Sequence, residues 1–238
     1  IWSNLESPRD FVPANLTPDQ IREINAYTHI ENELIDDAVG RVVAWLTTNN
    51  LIDQTDIFFT TDHGELQGDF GLMFKGPYHV DALMRLPMIW QPASSAKIAP
   101  QTIKAPVGHV DLAKTFCSIA GIAPPKYCEG AAMPTSLDEA NQQDRQFQLT
   151  EWDSEHGPID MHLKSLYHKD GWLITCYEPS HLYDGSEGEL YNLKDDPDQI
   201  MNLWDHPKHR ETQQDLKHLL YTSLPEPRSP KLNRVAPV

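Results

Sequence analysis

The chain has 238 residues and a formal net charge of −16, from 19 Lys+Arg against 35 Asp+Glu. That balance argues against nucleic acid or an anionic membrane surface as a partner, and no apolar run is long enough for a membrane span. Three cysteines, Cys117, Cys128 and Cys176, suggest neither a disulfide framework nor a zinc knuckle and favour a reducing, cytoplasmic compartment over a periplasmic or secreted one.

Residues 1–16, with Pro8 and Pro13, read as a loop. The start lacks an initiator Met and a signal-like segment, so it does not read as the natural beginning of a polypeptide, although removal of a leader would look the same. Thr17-Pro18-Asp19-Gln20 predicts a helix start, with Thr as N-cap, Pro at the first position and Gln at the third. An apolar stripe from Ile21 to Leu46 continues it, and Asn49-Asn50 closes it. This helix is expected to pack on a sheet.

Ile57-Phe58-Phe59-Thr60 is continuously apolar before its threonine, which predicts a strand buried on both faces in a parallel sheet. It runs into Asp62-His63-Gly64-Glu65. Ligands gather beyond the carboxyl ends of such strands. A carboxylate offers hard oxygen and an imidazole offers nitrogen, so Asp62 and His63 are candidate metal ligands. The plainer alternative is a turn or a helix cap. Gly68 and Gly71 then mark a loop, and Lys75 stands between Phe74 and Gly76-Pro77. It is a candidate cation for an anion, against the alternative of a solvated lysine. His79 could be a leaving-group acid, although packing is the commoner role for a histidine so placed.

Met88-Ile89-Trp90 predicts a short buried strand between Pro87 and Pro92, followed by an irregular connection over 91–106. Leu112, Phe116 and Ile119 predict a helix that Gly121 ends. Asp111, in its first turn, reads as a cap rather than as a ligand paired with His109. Pro124-Pro125, Gly130 and Pro134 predict a boundary between a unit of residues 1–145 and a smaller one of residues 146–238. Strands are predicted over 146–150, 163–167, 172–177 and 189–193, with a hairpin turn at Lys169-Asp170-Gly171. A helix is predicted over 207–224, and 225–238 reads as a tail.

Three segments resemble the sulfatase family of the alkaline phosphatase superfamily: Thr60-Thr61-Asp62-His63-Gly64-Glu65, Gly68-Asp69-Phe70-Gly71-Leu72-Met73-Phe74-Lys75-Gly76 and Arg85-Leu86-Pro87-Met88-Ile89. Glu189 to Leu203 also resembles a late E-L-Y-[DN]-L…D-P…N-L motif of that family. The resemblance implies an α/β fold: the remainder of an alkaline-phosphatase-like α/β sandwich carrying half of the metal site, then a small antiparallel sheet plus helix. It implies Asp62 and His63 as metal ligands and Lys75 as a contact to sulfate or phosphate oxygens.

The implied cofactors are one divalent metal, calcium or manganese, and a formylglycine nucleophile. No cysteine or serine lies in a C/S-x-[PA]-x-R motif. The nucleophile is therefore expected in an N-terminal part of the same enzyme, outside these residues, and this chain alone is expected to be inactive. The implied activity is sulfuric-ester hydrolysis, with a small-molecule sulfate or phosphate ester as substrate. His63 stands where calcium-dependent sulfatases have Asn, so a phosphonate or phosphate ester hydrolase is the alternative. A non-catalytic binding module is the third reading.

Overall fold

The Thr17 hydroxyl accepts a hydrogen bond from the Gln20 backbone N–H, and the Gln20 side chain accepts one from the Thr17 N–H. This capping box starts helix α1, Pro18–Thr48, and Asn49 caps its end. The computed structural model describes residues 16–156 and 159–226. Residues 1–15 of the predicted loop and 227–238 of the predicted tail lie outside them. The chain forms two compact units, Ile1–Arg145 and Gln146–Val238.

In the first unit α1 is followed by strand β1 (Ile57–Thr60), helix α2 (Asp81–Met84), strand β2 (Met88–Gln91), helix α3 (Leu112–Ile119) and helix α4 (Leu137–Gln143). Two expectations are corrected here. β1 pairs antiparallel with β2, with Phe58 opposite Trp90 and Phe59 opposite Ile89. A parallel return needs a long crossover, usually helical. The chain between these strands holds only the four residues of α2 as α-helix.

β1 is also not buried on both faces. Phe58 stacks on Trp90 and meets the edge of Phe116, but Phe59 and Ile89 are exposed. The second correction concerns α1, which buries none of its residues. Leu34 on its apolar stripe is 67% exposed. The helix has 31 residues and is about 46 Å long. Two four-residue strands, about 13 Å each, cannot cover such a stripe.

Helix α4 lies in the segment read only as a boundary between the two units. Its signal is Ser136-x-x-Glu139: the Ser136 hydroxyl accepts from the Glu139 N–H at 3.1 Å.

The second unit is an antiparallel sheet in the order β3 (Phe147–His156), β4 (Ile159–His168), β5 (Trp172–Tyr177), β6 (Gly188–Asn192). Gly171, at φ +94°, closes the β4–β5 turn predicted from Lys169-Asp170-Gly171. Register sets Leu166, Ile174 and Leu190 side by side on one face. Helix α5 (Arg210–Ser223) covers that face with Leu216 and Leu220, and Trp204 joins them. Each such fully buried side chain contributes about 1.5–3 kcal/mol by removal from water. Among the described residues no helix is long and apolar enough to cross a membrane.

Candidate metal and anion site

The site starts where β1 ends. Asp62 Oδ1 accepts from the His63 backbone N–H at 3.0 Å and from the Thr61 hydroxyl at 3.2 Å. The first of these bonds holds the Asp62 carboxyl below its ordinary range. The carboxylate is 83% exposed, so it is ionised and open.

His63 Nδ1 lies 2.9 Å from the Gly64 carbonyl oxygen. A carbonyl only accepts, so Nδ1 carries the proton of the neutral ring and Nε2 keeps its lone pair. Nε2 faces Asp62 Oδ2 at 3.4 Å. Two electron-rich atoms converge there with no proton of the neutral ring between them. That donor pair fits a divalent cation, and the Gly64 carbonyl fixes the required tautomer, as partners of metal-binding histidines do.

Gly64 fixes the turn against α2. Its N–H donates to the Leu83 carbonyl at 2.9 Å, and a Cβ on it would sit 1.9 Å from the Ala82 oxygen. No larger residue fits at this spacing. At the start of α2, Asp81 pairs with Arg85 at 2.8 Å. Partial burial pushes the Asp81 carboxyl up, and the Arg85 charge opposes that.

Lys75 follows a closed loop. Leu66, fully buried, donates its N–H to the Phe74 carbonyl at 2.7 Å, and Gly68 donates to Leu72 at 2.9 Å. Phe70 and Phe74 hold φ of +57° and +67°. Bulky residues are uncommon there, and such backbone concentrates at ligand sites. Lys75 is exposed and makes no ion pair among the described residues. His79 is buried, which pushes its imidazole down to about 4, so it is neutral at pH 7.

The structure thus brings Asp62 and His63 together, presents Lys75 to solvent and places His79 in the interior. Among the described residues no group of three or more His, Cys, Asp and Glu could hold a metal ion, so the pair supplies two ligands only. Asp111 is structural. Its carboxylate accepts from the Gly108 N–H, as a capping residue does, and from the Ala131 N–H and Arg145. Nothing in the sequence singles out Arg145, which has no local motif around it.

Two family models match the chain. The sulfatase model matches residues 8–122, and the N-sulphoglucosamine sulphohydrolase C-terminal model matches residues 68–224. The chain is 27% identical over 188 residues to an N-acetylglucosamine-6-O-sulfatase of Bacteroides thetaiotaomicron, covering 78% of this chain and 33% of that protein. A solved 2-O GAG sulfatase superposes with a TM-score of 0.73 at 23% identity, over 88% of this chain and 44% of the other. A phosphonate monoester hydrolase of Agrobacterium radiobacter gives 0.65 at 18% identity, over 79% and 38%.

The chain belongs to the sulfatase family, with an alkaline-phosphatase-like α/β fold followed by a small antiparallel sheet and helix. It spans about a third of the length of the curated relatives it matches.

Proposed function

We propose that the intact protein hydrolyses a sulfate ester, and that this chain supplies two metal ligands, Asp62 and His63, and an anion-binding cation, Lys75. The observation that carries the reading is the tautomer-locked His63 Nε2 facing the ionised Asp62. Family membership supports the choice of reaction. A divalent cation held there would draw charge from the ester oxygens and favour an ionised nucleophile.

Lys75 binds the non-bridging oxygens, where charge shifts in the transition state. His79 is the candidate donor to the leaving-group oxygen, against a packing role that its burial favours. Burial keeps it neutral at pH 7, so its donor is a ring N–H rather than an imidazolium. A formylglycine nucleophile, from outside these residues, is part of the reading. The donor set is mixed oxygen and nitrogen, which favours manganese over calcium.

A sulfated amino sugar is the first substrate class to test, because a curated relative is named for N-acetylglucosamine 6-O-sulfate hydrolysis. The intact protein is assayed with N-acetylglucosamine 6-sulfate, 4-nitrophenyl sulfate and a 4-nitrophenyl phosphonate. Higher kcat/KM on either sulfate supports the proposal. Higher kcat/KM on the phosphonate moves the activity to a phosphonate or phosphate ester hydrolase, a reading that His63 favours. No turnover of any of them overturns both.

A further inference from the structure

On the helix-covered face of the second unit, the apolar core gives way to a charged strip. Glu151 and Asp153 of β3 stand opposite Lys164 and His162 of β4. Lys164 bonds Glu151, and Glu178, just after β5, accepts from the Tyr221 hydroxyl of α5. The His162 ring lies between two carboxylates. Its Nδ1 is 2.8 Å from Asp153 Oδ1 and its Nε2 is 3.1 Å from Asp160 Oδ1. The other oxygen of Asp160 accepts from His181, at 3.1 Å from the backbone N–H and 2.8 Å from Nδ1. Neither this group nor any part of it enters the chemistry proposed above.

Ionised carboxylates only accept hydrogen bonds, and a neutral imidazole has a single N–H. Both contacts of His162 can be hydrogen bonds only if the ring carries two protons. We infer that His162 makes both contacts as an imidazolium, and that with Asp153 and Asp160 it forms a pH-operated latch between the β3–β4 hairpin and the loop carrying His181.

The surrounding charges agree. Glu151, Asp153, Asp160 and Glu178 are acidic. Lys164 is a nearby cation, and it is already paired with Glu151. The Asp153 hydrogen bond, first among the causes, raises the His162 imidazole above its ordinary value of 6.5. The bonds from His181 hold Asp160 down at about 2.

The sign follows from linkage. A raised histidine contributes stability that is fully present below 6.5 and lost as pH climbs through its folded value. The depressed Asp160 contributes stability that is present above 3.8 and lost as pH falls through about 2. The latch is therefore closed at mildly acid pH and opens as pH climbs through the folded value of His162, which lies above 6.5. When His162 loses its proton, one carboxylate loses the His162 donor and faces a lone pair. The loop keeps its own Ser180–Tyr183 bond at 2.9 Å and the packing of Tyr183 on Tyr177. Opening is thus local to His181.

The test is nitrogen-15 NMR of the histidine rings in the full chain, with amide exchange followed in parallel. His162 is expected to show two protonated nitrogens at pH 6.5 and to titrate above that value. Exchange at the His181 amide, corrected for its intrinsic pH dependence, should rise through the same midpoint. Asp153→Asn should lower the midpoint by about one unit, a tenfold loss of proton affinity. A singly protonated His162 ring at pH 6.5, or His181 protection indifferent to the midpoint, overturns the latch. The unmodified chain yields both readouts, so the outcome does not depend on a variant folding.

Discussion

Replacing Lys75 with methionine is expected to lower kcat/KM of the intact protein for a sulfate ester by about 10²–10³-fold, the cost of losing one pre-placed donor to developing charge. Lys75 is exposed, and among the described residues it has no ion-pair partner to confuse the result. The denaturation midpoint should therefore move by no more than about 0.5 kcal/mol, as for surface substitutions generally.

Lys75 follows a loop closed by the Leu66–Phe74 bond and strained at Phe74, so the backbone, not a salt bridge, determines where the ammonium stands. If the ammonium acts mainly on the transition state, kcat falls with kcat/KM while KM changes little. Lys75→Arg restores charge but spreads it over a planar fork, and should recover only part of the rate. Steady-state kinetics of the three proteins decide the point. Unaltered kcat/KM in Lys75→Met would remove Lys75 from the site.

The largest expected effect on stability lies elsewhere. Asp111 and Arg145 form an ion pair at 2.6 Å with side chains 3% and 12% exposed. Arg145 also donates to the Ala132 carbonyl at 2.8 Å and to the Gln143 side chain at 2.7 Å. The second Asp111 oxygen accepts from the Ala131 N–H at 2.9 Å. This one pair therefore ties the start of α3, the segment after Gly130 and the end of α4.

Arg145→Ala leaves a buried carboxylate without its counter-ion, and a loss of about 3–5 kcal/mol is expected in urea denaturation. Asp111→Leu with Arg145→Met should cost less than the sum of the single changes, because no orphaned charge remains. Additive losses in that cycle would mean that the two side chains act independently.

The legible parts of the fold were those with local causes. Thr17-Pro18-Asp19-Gln20 carries its own cap chemistry, and Lys169-Asp170-Gly171 its own turn, so α1 and the β4–β5 hairpin follow from a few residues each. The pairing direction of β1 was not legible. An apolar run states that two faces suit burial, but not which strand lies alongside or what covers each face. Arg145 escaped for the same reason: its partner is 34 residues away.

At the candidate site, the adjacency of Asp62 and His63 was readable as chemistry. The locked tautomer was not, because it depends on the ring reaching the Gly64 carbonyl, which only the backbone of the turn decides. The same holds for the His162 cluster, whose carboxylates come from two strands and whose second histidine comes from a loop.

The central claim is that Asp62 and His63 hold a divalent metal. The measurement that tests it most directly is the metal content of the intact protein after dialysis, by mass spectrometry, beside that of Asp62→Ala with His63→Ala. The expected result is about one equivalent of a divalent metal in the unmodified protein and its loss in the double variant, with the folding transition retained. A full equivalent in the folded double variant would contradict the assignment and move the metal away from this turn.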